Sequence, residues 1–146
     1  MKRVLVVNGP NLDKLGTRQP EIYGSTTLAE LEKLIDGWAR ELGLDAACFQ
    51  SNDEDAIIAK VTGAPGDGIA GIVINPAALS HFSYPLRAAL AATGLPVVEV
   101  HISNIHAREP FRRLSLVSGV ANGVIAGLGI EGYRMALEAL AGIVRP

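Results

Sequence analysis

A single cysteine, Cys48, stands in a chain of 146 residues. No internal disulfide can form, so packing and hydrogen bonding alone must hold the fold. Its neighbours Ala46, Ala47 and Phe49 point to a buried strand thiol rather than a reactive one. Aromatic residues amount to only 5%. The core therefore has to come from Val, Ile, Leu and Ala, as in parallel sheets covered by helices. Neither sign of charge dominates. A formal net charge of −2 and a pI near 5.9 leave no basic footprint for nucleic acid or an anionic membrane. An anionic ligand would have to be held by a few local cations. Long apolar runs are also missing: the first, residues 4–7, is too short for a signal peptide, and none approaches the ~20 residues of a membrane span. The cytoplasm is the expected location. No Gly-Lys-Ser or Gly-Lys-Thr occurs, which excludes a P-loop.

What is present is 49% hydrophobic residues against 19% charged, enough to bury a core and too little charge for disorder. The length fits one domain, residues 1–146. Apolar runs alternate with amphipathic stretches throughout. Residues 4–7 read as a strand ended by Asn8-Gly9-Pro10, a turn signal. Leu28, Leu31, Leu34, Ile35, Trp38 and Leu42 recur at helical spacing, with Thr27 and Glu30 as a capping box and Gly43 as the stop. Further strands are expected at 44–49, 69–74, 97–100 and 120–126, with helices at 53–61, 83–92 and 130–144. Ser83 can cap the second of these helices, and Pro85 is tolerated in its first turn. Such alternation with short connections predicts an α/β, flavodoxin-like, doubly wound five-stranded parallel sheet with helices on both faces. Ligands of such sheets sit beyond the carboxyl ends of the strands, so the polar residues following strands one, three and four should converge.

Those residues carry chemistry. Strand one leads into Asn8-Gly9-Pro10-Asn11-Leu12, strand three into Asn75-Pro76-Ala77-Ala78-Leu79-Ser80-His81, and strand four into Glu99-Val100-His101-Ile102-Ser103-Asn104-Ile105-His106. All three histidines lie in the last two segments, interleaved with amides and hydroxyls, a pattern suited to acid–base work. The connection spanning residues 9–26 exceeds the usual ~2–6 residues and is expected to be a lid. It carries Arg18 and Tyr23, with Gly16 and Gly24 as possible hinges and Pro20 as a stiffener. A free tyrosine titrates near ~10, too high for a base at neutral pH, and a close guanidinium favours its phenolate. Spacing alone leaves open whether Tyr23 simply packs at the base of the loop while Arg18 is solvated.

The run Leu15-Gly16-Thr17-Arg18-Gln19-Pro20-Glu21-Ile22-Tyr23-Gly24, preceded by Asn8-Gly9-Pro10-Asn11-Leu12, resembles the opening of type II 3-dehydroquinate dehydratases. So do Phe49-Gln50-Ser51-Asn52, Ile74-Asn75-Pro76, and the segment from Glu99 through Ala107-Arg108-Glu109. The resemblance runs from about Val4 to Leu140. It implies dehydration of 3-dehydroquinate to 3-dehydroshikimate, with no metal and no organic cofactor, in a homo-oligomer, a dodecamer built from trimers. It also implies roles. Tyr23 would take the proton alpha to the ketone, Arg18 would hold Tyr23 as phenolate, and Asn11 would help stabilise the enolate oxygen. His101 would protonate the departing hydroxyl, with Glu99 orienting the imidazole. Asn75, His81, Ile102, Ser103 and Arg112 would bind the substrate, Arg112 with a fork suited to a carboxylate. Arg108 and Arg113 are expected at the surface or an interface, His106 and Asn104 as loop braces, and Trp38 in the core.

Departures from that pattern are Ala88, in place of an aspartate that reaches a neighbouring subunit's site, the pair Asp13-Lys14, Asp53 and Leu79. They make room for a paralogue acting on a related cyclic hydroxy-keto acid. Other readings are a non-catalytic flavodoxin-like binding or assembly protein and a Schiff-base dehydratase using Lys14.

Overall fold

The computed structural model describes residues 1–17 and 19–144. Five strands, β1 (Lys2–Asn8), β2 (Leu44–Gln50), β3 (Ile69–Asn75), β4 (Val97–His101) and β5 (Gly123–Ala126), form one parallel sheet in the order β2-β1-β3-β4-β5. The helices are α1 (Pro20–Tyr23), α2 (Leu28–Glu41), α3 (Glu54–Gly63), α4 (Tyr84–Thr93) and α5 (Glu131–Ile143). This strand order is that of the flavodoxin-like fold.

Alternation along each strand decides which layer a side chain joins. Val4, Val6, Val73, Val98 and Val100 pack under α2 and α5, with Leu31, Ile35, Leu137 and Leu140. Leu5, Val7, Ile72, Ile74 and Val97 turn the other way, under α3 and α4, with Ile57, Val61, Leu86 and Leu90. Each face thus has its own aliphatic core, and the inner strands are apolar on both sides. At Gly71 a Cβ would come within 2.8 Å of Leu140, so the missing side chain lets α5 lie close on the sheet.

The capping box at α2 is present: Thr27 Oγ1 accepts from the Glu30 amide, and Glu30 Oε1 accepts from the Thr27 amide. Gly43 follows the helix with φ +74°, a conformation glycine adopts without steric cost. Trp38 packs against the core as expected. Ser83 caps α4 by accepting from the Leu86 amide. Asp53 caps α3 in the same way through the Asp55 amide, and Leu79 is buried in the core under α3 and α4. Two of the sequence's departures are therefore structural.

Three expectations need correcting. The fifth strand starts at Gly123 rather than residue 120, because Ser118–Val120 form a 3-10 turn instead. The connection after β1 is not bare loop: it holds a 3-10 turn at Leu12–Lys14 and the one-turn helix α1, with Pro20 in its first turn. Cys48 is half-buried, since β2 is an edge strand. Burial, with the charges of Glu32 and Asp36 adding to it, pushes its thiol up to about 12, which leaves it an unreactive thiol.

The order reverses at β1, whose two neighbours are β2 and β3, so the loops after β1 and β3 diverge and leave a crevice. Here the backbones approach closely. The Gly9 amide donates to the Asn75 carbonyl at 2.8 Å, and a Cβ on Gly9 would sit 2.5 Å from the Pro76 carbonyl oxygen. Any side chain at position 9 would force the two strand ends apart.

Candidate active site

The crevice is a cleft of about 230 Å³ walled by the segments that follow β1, β3 and β4. That is just below the roughly 300–1,000 Å³ of drug-sized ligand sites, so a compact ligand suits it better than a nucleotide. Asn11, Tyr23, Asn75, His81, His101, Ile102, Ser103 and Arg112 all line it. Of the ten residues singled out in the sequence, Glu99 lies beneath the cleft wall and Arg18 falls outside the described residues. The convergence expected from strand-end topology is therefore observed.

Glu99 and His101 are two apart on β4 and so point to the same face. His101 Nε2 donates to Glu99 Oε2, which fixes the ring's orientation in the cleft wall. The Glu99 carboxylate, fully buried, also accepts from Ser115 Oγ at 2.7 Å and Ser118 Oγ at 2.6 Å. Burial alone would raise the Glu99 carboxyl, but the hydrogen bonds from His101, Ser118 and Ser115, with the attraction of His101, outweigh it and hold the group below its ordinary value. The two serines had no signal in the sequence beyond their three-residue spacing. The short 3-10 turn that displaced the start of β5 is what brings Ser118 inward.

Tyr23 ends α1, and its ring packs against the core beside the cleft. Arg108 Nη1 donates to the Tyr23 hydroxyl at 2.8 Å and to Ser103 Oγ at 3.1 Å. The guanidinium also lies 5.3 Å from the Tyr23 ring centroid. Arg108 was expected at the surface or an interface. Instead its side chain is 15% exposed and lines the cleft, because the 3-10 turn Ile105–Ala107 carries it back over the strand ends. That turn is capped by Asn104, which accepts from the His106 amide, so Asn104 braces the loop as expected.

The remaining walls are fixed locally. Asn11 sits at φ +71°, a left-handed position that asparagine tolerates. Its amide donates to Asn52 Oδ1 at 2.9 Å, and Asn52 Nδ2 reaches Asp13 at 3.4 Å. Asp13 thus ties the turn after β1 to the end of β2, while Lys14 faces the cleft. His81 donates from Nδ1 to the Leu114 carbonyl at 2.8 Å and packs edge-on to Phe111 at 5.6 Å. The Ile102 carbonyl accepts from the Gly129 amide at 3.1 Å. Arg112 lies over the Phe111 ring at 4.8 Å, and its buried Nε is 3.2 Å from Glu109 but out of line for a hydrogen bond. Among the described residues, no group of three or more His, Cys, Asp or Glu could hold a metal ion, and no helix is long and apolar enough to cross a membrane.

A phenol held by a guanidinium and an imidazole held by a buried carboxylate share one small cleft at the switch point of a flavodoxin-like sheet, a set of groups suited to acid–base chemistry. The family model described as dehydroquinase class II matches residues 2–141. The chain belongs to that family, and it is a hydro-lyase. It is 50% identical to the 3-dehydroquinate dehydratase of Deinococcus radiodurans over 97% of this chain and 99% of that one. It is 51% identical to the catabolic 3-dehydroquinase 1 of Neosartorya fischeri over 96% and 93% of the two chains. The crystal structure of the type II dehydroquinase from Propionibacterium acnes superposes with a TM-score of 0.93, at 46% identity and 97% coverage of both chains.

Proposed function

We propose that this chain eliminates water from 3-dehydroquinate to give 3-dehydroshikimate through an enolate, with Tyr23 as base and His101 as acid. The observation that carries the division of labour is the pairing of each group with its own counter-group, Arg108 on the Tyr23 oxygen and Glu99 on the His101 ring. Tyr23, as phenolate, takes the proton alpha to the ketone, and the electron pair moves onto the carbonyl oxygen. Asn11 and the Lys14 side of the cleft face that developing charge, where a preorganised donor lowers the barrier. The enolate then collapses, the carbon–oxygen bond to the hydroxyl breaks, and His101 supplies the proton that lets it leave as water. A proton passed from Tyr23 to His101 closes the cycle. Arg18, which lies outside the described residues, is proposed to help hold the phenolate on the resemblance alone. Arg112 receives the carboxylate, and Asn75, His81 and the Ile102-Ser103 backbone take the hydroxyls. No step calls for a metal or an organic cofactor.

The assay follows the absorbance of the conjugated enone product. Wild-type protein is expected to turn over 3-dehydroquinate, and Arg108→Gln to lose about 10²-fold in kcat, the scale of removing one preorganised charge donor. An Arg108→Gln enzyme of wild-type kcat would remove Arg108 from the mechanism. Failure of the wild type itself, with turnover of another cyclic hydroxy-keto acid, would favour the paralogue reading.

The chain is further proposed to act in the cytoplasm as one catalytic unit that assembles with copies of itself, in the dodecamer of trimers that the resemblance implies. Phe82, Tyr84, Phe111 and Leu114 are all exposed, and Phe111 and Leu114 both contact His81, apolar surface of the kind that a subunit contact covers. Ala88 is exposed one turn beyond Tyr84 on α4. A native mass of a dodecamer is the expected measurement, and a stable monomer would sink the assembly proposal.

A further inference from the structure

Behind the cleft lies a buried polar contact that the mechanism above does not use. Asn8 and Asn75 are register partners at the carboxyl ends of β1 and β3. Both face α5, because Tyr133 of that helix touches both: its hydroxyl donates to Asn8 Oδ1 at 2.6 Å and accepts from Asn75 Nδ2 at 2.9 Å. Tyr133 is fully buried and does not line the cleft, whereas Asn75 does.

We propose that Tyr133 is a positioning residue that fixes which face of the Asn75 amide meets the ligand. A phenol has one proton to give, and here it goes to Asn8. The contact with Asn75 must then be donated by the Asn75 amide nitrogen. That sets Asn75 with Nδ2 toward Tyr133 and Oδ1 toward the Ala77 amide, which it accepts at 3.2 Å. What remains free on Nδ2 is its second N–H, so the cleft sees a donor, and the ligand atom recognised there is an oxygen acceptor. An amide turned the other way would present its oxygen and repel the same ligand atom. Burial pushes the Tyr133 phenol above its ordinary value of 10, and the Asn75 hydrogen bond only partly opposes this. The proton therefore stays on the phenol and the polarity does not change with pH.

Ala77 holds the other end of the same amide. It holds φ +52°, a conformation costly for a residue with a Cβ. The turn that aims its amide at Asn75 is thus kept against local preference. Asn8 has no partner for its Nδ2, so its bond to Tyr133 is the one side-chain hydrogen bond it has among the described residues.

The inference rests on 3-dehydroquinate as substrate, and the test separates the two. Tyr133→Phe removes the hydroxyl but strips Asn8 as well, which endangers folding. The companion Asn8→Leu/Tyr133→Phe replaces both buried partners by apolar groups of similar shape, a change that can be nearly neutral for stability. In both variants KM for 3-dehydroquinate is expected to rise about tenfold, the scale of one misdirected hydrogen bond, with kcat within about threefold of wild type and the ratio constant across pH. A KM restored to wild type in the double variant would mean that Tyr133 only braces the core and would overturn the proposal. A crystal structure of the double variant tests the same point without any substrate: the Asn75 amide is expected to have turned away from Ala77. An amide still in place overturns the proposal even if 3-dehydroquinate proves to be the wrong substrate.

Discussion

Tyr23→Phe is expected to lower kcat by about a thousandfold, within the roughly 10²–10⁴ that a positioned base contributes and equal to about 4 kcal/mol of barrier. KM should change little. The substitution is unusually clean in this setting. The ring packs against the core beside the cleft, and a phenylalanine ring keeps that packing. Arg108 retains its hydrogen bond to Ser103 and can stay over the aromatic face. What disappears is the oxygen that accepts from Arg108 and that would accept the substrate's proton. Kinetics and melting temperature should then part company, with kcat collapsing while stability holds. A Tyr23→Phe enzyme within tenfold of wild type would transfer the role of base to another group.

His101→Ala should cost kcat a comparable factor, about 10²–10⁴, and added imidazole should restore part of it. The side chain lies between the cleft and the buried Glu99 carboxylate. Truncation opens a hole that connects with the cleft and leaves Glu99 with Ser115 and Ser118 as its donors. Free imidazole entering that hole would meet the carboxylate that held the original ring. Absence of rescue, together with a retained kcat, would exclude His101 as acid. Acid sensitivity gives a second readout. The Glu99 carboxyl in the folded protein sits below its ordinary value of 4.5, so its contribution to stability is complete above that value and is lost as pH falls through the lower, folded one. Wild type should lose stability steeply in that acid range. His101→Ala, with one hydrogen bond and one favourable charge fewer on Glu99, should begin to lose it at higher pH, as reported by Trp38 fluorescence.

The layers of this fold were legible because each inner strand alternates between two aliphatic cores, and that pattern is written in consecutive residues. Strand ends were legible as well: Asn8-Gly9, Asn75-Pro76 and His101-Ile102-Ser103 mark where pairing stops and side chains are free to meet a ligand. What could not be read was anything set by distant contacts. Arg108 meets Tyr23 across 85 residues of sequence, and beside Glu109 and Arg112 it looks like one more surface charge. Tyr133 reaches Asn8 across 125 residues, and on its own helix it is simply one more core residue. Ser118 acts on Glu99 only because the chain turns there instead of pairing, a choice between two local structures that its apolar neighbours do not determine. The resemblance supplied Glu99 as the partner of His101. The strand geometry supplies the reason, since residues two apart share a face.

Arg108 and Tyr23 belong to different parts of the molecule. The guanidinium is tethered to Ser103, just after β4, and the phenol ends the single turn Pro20–Tyr23 in the connection after β1. A displacement of that turn away from the segment after β4 would part the phenol from the guanidinium. With Tyr23 as the proposed base, its activation then rests on two separate segments of the chain being held together, and not on the local sequence around the tyrosine.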